Sequence, residues 1–186
     1  MKKVMSIVLS ILAVFYASLP SFAIEASVTN ESPPTIIYKG QEYEMEHQGD
    51  DIYISEVPMD VVMNPVNPSD FRSRASMTYY TGKLRVVIDR LTLKANVQAY
   101  ITSSSDPMKK VICRYTISYP GWKGSKSTTT TASSFLGLNP MNLNPVTFNL
   151  KPKLTSGPYA VYLDAFATIT GVSCSGCATA SATAYV

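Results

Sequence analysis

Near the end of this chain two apolar alternations run almost back to back, and they constrain the fold more than anything else in it. Val161, Leu163, Ala165, Ala167 and Ile169 recur at every second position, and after a short Gly/Cys stretch Ala178, Ala180, Ala182 and Ala184 do the same. Strand side chains point alternately to opposite faces, so a sustained period of two specifies strands with one buried face. Two such runs around a few turn-forming residues specify a hairpin. The second run has no bulky face, since Thr179, Ser181, Thr183 and Tyr185 oppose the alanines. An alanine face permits close approach of another sheet or a shallow groove, while the hydroxyl face suits solvent or an edge partner. The run also lacks the charge or proline that blunts exposed edges, so it reads either as an ordinary terminal strand or as an assembly strand.

The same period extends upstream, with Pro, Gly, Asn and Ser interrupting it at short intervals. That rhythm predicts an all-β, antiparallel protein. Expected strands are Thr35 to Lys39, Glu42 to Glu46, Ile52 to Val57, Asn96 to Thr102, Lys110 to Tyr119 and Val146 to Leu150. A hairpin is expected from Arg72 to Tyr80 and Lys83 to Leu93 around Thr81-Gly82. The passage through Pro58, Pro65 and Pro68 reads as loop or sheet edge, because proline cannot donate to a ladder. The Ser/Thr tract from Ser125 to Ser134 has strand propensity but little apolar content, so an exposed strand or a solvated loop is expected. Gly137 to Pro145 reads as an irregular connection.

At the other end, Lys2 and Lys3 precede an apolar run from Val4 to Leu19, then Pro20 and the small-residue site Ser21-Phe22-Ala23. This is the pattern of a bacterial secretory signal peptide over residues 1–23, with the mature chain starting at Ile24. Residues 24–186, roughly 160 in number, suffice for a single domain with one core. Both leader lysines count toward the formal +3, so the mature chain sits near +1. That balance gives no electrostatic case for nucleic acid, which is bound by neutralising several phosphates. No later apolar run approaches the ~20 residues of a membrane-crossing helix, so no membrane insertion is expected after leader removal.

In an oxidising compartment, three cysteines leave one over after pairing. The expected bridge joins Cys174 to Cys177 across a Ser-Gly turn, with Cys113 a buried thiol; the alternatives join Cys113 to either.

Leu154, Gly157, Tyr159 and Val161 resemble the tyrosine corner of immunoglobulin-like sandwiches, in which the phenol bonds upstream backbone as the chain enters a strand. The alternating ending with its penultimate Tyr185 resembles chaperone-usher pilus (fimbrial) subunits of Gram-negative bacteria. That resemblance implies an immunoglobulin-like antiparallel β-sandwich lacking one strand. A periplasmic chaperone, and later the N-terminal extension of another subunit, fills such a gap by strand addition. Ile24, Ala26 and Val28 alternate as a donor would, and Ala178, Ala180, Ala182, Ala184 and Tyr185 are the second candidate assembly strand. The implied protein is a minor pilus component that passes through the periplasm to the cell surface and serves structure or cell adhesion. If Tyr159 opens a sixth strand, Ala178 to Tyr185 is a seventh and the sandwich is complete. The alternative is therefore a self-contained secreted or periplasmic module binding a glycan or protein.

Catalytic constellations are poorly served. His47, the lone histidine, lies in the acidic run Glu42 to Asp51, which reads as a solvated strand and turn. No Gly-x-Ser-x-Gly elbow, phosphate-cradling glycine loop or zinc-ligand pair occurs, so a non-enzyme without metal or cofactor is expected. Trp122, flanked by Lys123 and Lys126, is a candidate contact for a host glycan or protein. The competing reading folds the indole back over the end of the sandwich.

Overall fold

The paired alternations at the end of the chain fold as the sequence implies, into β11 (Ala160–Gly171) and β12 (Cys174–Tyr185), with Leu163 opposite Ala182 and Ala167 opposite Ala178. The computed structural model describes residues 32–65, 80–119, 124–150 and 160–186, all but Ser32 within the unit Pro33–Val186. The earlier strands are β1 (Thr35–Tyr38), β2 (Gln41–Glu44), β3 (Glu46–Gly49), β4 (Ile52–Pro65), β5 (Tyr80–Asp89), β6 (Lys94–Ser103), β7 (Met108–Ser118), β8 (Ser125–Leu138), β9 (Met141–Asn142) and β10 (Val146–Asn149). Every ladder is antiparallel, and the described residues contain no helix.

The strands make one continuous sheet in the order β10-β6-β5-β4-β12-β11-β7-β8, with β1, β2, β3 and β9 attached beside this path. Its two ends, β10 and β8, approach each other without a ladder between them, so the sheet nearly closes on itself. The enclosed face carries the core. Val111, Cys113, Tyr115 and Ile117 of β7, Leu84, Val86 and Ile88 of β5, and the apolar face of β11 are all buried. Buried apolar area is the main stabilising term, and here alternate residues from the long strands other than β8 supply it.

Strand β4 makes the closure. It pairs with β5 through Met59, then with β12 from Asp60 onward. A strand that changes partner turns a corner of the sheet. Pro58 lies next to that change, and both it and Pro65 belong to the strand with one paired neighbour each, so of the two readings expected there, loop or sheet edge, the loop is overturned; Pro68 lies outside the described residues. The expected turn at Thr81-Gly82 is also overturned, because β5 runs straight through it. Gly82 meets the inside of the corner, where a Cβ would lie 2.9 Å from Met59 Cβ and 3.1 Å from Ile101 Cδ1. Absence of a side chain, rather than turn geometry, explains this glycine.

True two-residue turns occur elsewhere. Lys39 (φ 51°) and Gly40 (φ 78°) join β1 to β2, and Asp50 (φ 47°) and Asp51 (φ 59°) join β3 to β4. Positive φ at both central residues is the hairpin turn whose twist suits the flanking strands. The acidic run is thus the solvated strand and turn expected of it, with the His47 ring 5.0 Å from that of Tyr53.

Candidate strand-acceptance seam

The polar tract Ser125 to Ser134 lies within a fourteen-residue strand, β8, which pairs with β7 along one edge only. Its side chains facing the core side, Thr128, Thr130 and Ala132, stand opposite Tyr115, Cys113 and Val111 but add little apolar surface. The far edge faces β10, which is itself paired on one side, to β6. Two contacts tie the sides of this seam across the core. Tyr119 Oη donates to the Asn149 carbonyl at 2.6 Å, and the Ala99 N–H donates to Tyr115 Oη at 2.9 Å. Burial raises the phenol pKa of both tyrosines above the ordinary value.

An edge strand presents a row of unpaired N–H and C=O groups, and natural proteins blunt such edges with charge, proline or bulges. Strand β8 has no proline, and Lys126 is its only charged residue. Its blunting device is a single bulge near the end, where Ser134, Phe135, Leu136 and Gly137 stand against Lys109 alone. The bulge holds Phe135 and Leu136, 96 % and 88 % exposed, away from the fold. Gly137 (φ 83°) shapes it against Pro107, whose Cβ would lie 2.7 Å from an added Cβ. From Ser127 to Ser133 the edge carries no charge, proline or bulge.

Below the bulge, a buried carboxylate joins three connections. Asp106, 4 % exposed, follows β6 and accepts from Tyr80 Oη at 2.7 Å and from the N–H groups of Val172, Ser173 and Cys174 at 3.0–3.1 Å. Its own N–H donates to Ser103 Oγ at 2.9 Å. Burial, and then the carboxylate beside it, pushes the Tyr80 phenol pKa well above the ordinary range. Gly171 completes the arrangement, because an added Cβ would collide with Asp106 Oδ2 and Tyr80 Oη.

The cysteines are placed differently from expectation. The turn after β11 is Val172-Ser173, and Cys174 to Cys177 already belong to β12. Three residues along an extended strand span about 10 Å and end on opposite faces, beyond the roughly 7 Å that a disulfide tolerates between Cα atoms. The expected Cys174–Cys177 bridge is not formed. Cys113 is fully buried, which raises its thiol pKa to about 11.

The terminal strand also needs correction as an assembly element. Ala178, Ala180, Ala182 and Ala184 face the core, and β12 has β11 along one edge and β4 followed by β1 along the other. Tyr185 pairs with Thr35 on one side and Ala160 on the other. Both edges of β12 are occupied because β4 crosses the corner and β1 continues its line. Among the other expected site residues, Lys126 is exposed on β8, while Ile24, Ala26, Val28, Trp122, Lys123 and Tyr159 lie outside the described residues. Sequence reasoning missed Asp106, for which the only signal was an acid next to Pro107 in a turn.

No protein-family model matches the chain, and neither a curated protein nor a solved structure matches it significantly.

Proposed function

We propose that this protein is an exported, non-enzymatic structural or adhesive subunit of immunoglobulin-like sandwich type, assembled by β-strand addition at the β8 edge. The observation that carries this reading is the open seam: a long, almost uncharged edge strand faces the other end of a sheet that stops short of closing. An added strand gains main-chain hydrogen bonds along β8, with alternate side chains reaching inward. The alternating segment Ile24, Ala26, Val28 of a neighbouring copy has the right pattern for a donor. On this reading a periplasmic chaperone holds the seam after the leader is removed, and the destination is a fimbrium at the surface of a Gram-negative cell.

Refolding residues 24–186 from denaturant at high dilution tests the proposal. A subunit that needs a donor aggregates or stays unfolded alone, and a synthetic Ile24–Glu31 peptide rescues it and slows amide exchange over Ser125–Ser133. Reversible two-state refolding to a monomer, with β8 exchange indifferent to the peptide, would overturn the proposal. A second reading, a self-contained binding module, is favoured by the interior position of β12, whose edges are both already paired.

A further inference from the structure

On the outer face of β5, β6 and β9, side chains of consecutive strands line up in rows. Lys83 stands opposite Tyr100 and Tyr100 opposite Asn142, while Thr81 stands opposite Thr102 in the adjacent row. These residues, with Glu56 and Pro140, line an open cleft of about 330 Å³. That volume lies at the small end of ligand clefts, which run roughly 300–1,000 Å³.

The cleft is organised before any ligand arrives. Tyr100 Oη donates to Gln98 Oε1 at 2.6 Å, and Gln98 Nε2 donates to the Leu143 carbonyl at 2.7 Å. The ring therefore leans along β6 with its hydroxyl already engaged, and what it offers a ligand is its apolar surface. The Pro140 wall is held by its neighbour: Asn139 Oδ1 accepts from the Ser103 N–H at 2.9 Å, and Asn139 Nδ2 donates to the Ser103 carbonyl. Around the ring lie the Asn142 amide and the Thr81 and Thr102 hydroxyls, which are hydrogen-bonded to each other at 2.5 Å and keep further acceptor capacity toward a ligand. Lys83 Nζ donates to Glu56 Oε2 at 3.1 Å, so the two charges at the rim offset each other.

A fixed aromatic surface beside a proline, ringed by neutral donors and acceptors and without net charge, is complementary to one class of small molecule. That class is a neutral pyranoside, whose C–H face lies on the ring while its hydroxyls meet the threonines and the amide. An acidic sugar gains little from a compensated ion pair, and a purely apolar ligand desolvates the Asn142 amide and leaves the remaining acceptor capacity of the paired threonine hydroxyls unused. We infer that the Tyr100 cleft is a binding site for a neutral pyranose sugar. The inference does not rest on strand acceptance at β8, and either can fail alone.

The test uses protein expressed from residues 1–186 and recovered from an exporting host. Methyl α- and β-glycosides of glucose, galactose, mannose and N-acetylglucosamine, with methyl glucuronide as the acidic control, are titrated to 50 mM and followed by NMR. At least one neutral glycoside is expected to bind in the millimolar range and shift the signals of Thr81, Tyr100, Thr102 and Asn142, with the glucuronide at least threefold weaker. Tyr100→Ala should weaken binding at least tenfold at unchanged melting temperature. Tyr100→Phe should stay within about threefold of the parent, because the phenol is spent on Gln98. No shift with any glycoside, shifts that survive Tyr100→Ala, or binding abolished by Trp122→Ala and not by Tyr100→Ala would each overturn the assignment.

Discussion

Replacing Asp106 should be among the most destabilising single changes at the surface-loop end of this fold, and the hydrogen bonds allow the effect to be worked out. The carboxylate accepts from four donors: Tyr80 Oη and the N–H groups of Val172, Ser173 and Cys174. Two of these have a second acceptor, since Tyr80 Oη also donates to the Asp106 carbonyl at 3.0 Å and the Val172 N–H to the Pro107 carbonyl at 3.2 Å. Asp106→Ala therefore removes two bonds in full and weakens two. A hydrogen bond to a charged group is worth roughly 1.5–3 kcal/mol, and at this turn, where Val172 is half exposed, water replaces part of what is lost. Taking the lower figure for the two full losses gives about 3 kcal/mol. That is a large fraction of the roughly 5–15 kcal/mol that holds a domain together.

Asp106→Asn should cost less, about 1–2 kcal/mol, because its amide oxygen still accepts from the turn while its NH2 faces donors. Tyr80→Phe removes one bond and should cost about 1 kcal/mol. Urea unfolding reads all three: with a slope near 2 kcal/mol per molar, the alanine midpoint falls by about 1.5 M. In the Asp106→Ala/Tyr80→Phe double variant the two losses should not add, leaving a coupling of about 1 kcal/mol. A loss below about 1 kcal/mol for Asp106→Ala, or an asparagine variant as unstable as the alanine one, would refute the account of Asp106 as the acceptor that organises this turn.

Two further predictions concern the core. Burial raises Cys113 from its ordinary 9.0 to about 11 and raises Tyr80 and Tyr115 in the same direction. The unfolded chain therefore loses these protons first, so the stability contributed by the neutral groups is complete below pH 9 and drains away as pH rises through the folded values. The Cys113 share is at most about 3 kcal/mol between pH 9 and 11; it should vanish in Cys113→Val, and a parent whose stability is flat to pH 11 would exclude the effect. Gly176→Ala should cost at least about 2 kcal/mol, measured as a fall in urea midpoint. Its Cβ would collide with the Val62 carbonyl and lie 2.8 Å from Met63 Cα, so the ladder between β4 and β12 must part; an unchanged midpoint would show that β4 does not run against β12 there.

The features legible in the sequence were those written in local periodicity. The faces of β7 and β11 follow from alternation alone, since residues two apart share a side whatever the strand's neighbours are. The identity of those neighbours is a long-range property, and it decided where the reading failed. Ala178 to Tyr185 has the composition of an edge, but its place in the interior depends on β4 changing partners at Asp60, some 120 residues earlier in the chain. Conversely, the Ser/Thr tract looked bland because its own residues carry little chemistry, and its importance comes from what lies across from it: β7 on one edge and no strand on the other among the described residues. The same reasoning applies to Gly82, Gly171 and Gly176. Each resembles a turn signal in one dimension, but each is small because a separate strand or the Asp106 carboxylate occupies the space a side chain would need. Assembly through β8 and binding at Tyr100 are both properties of such juxtapositions, and they separate cleanly in experiment: proline placed along β8 should affect strand addition and leave pyranoside binding intact, whereas Tyr100→Ala should do the reverse.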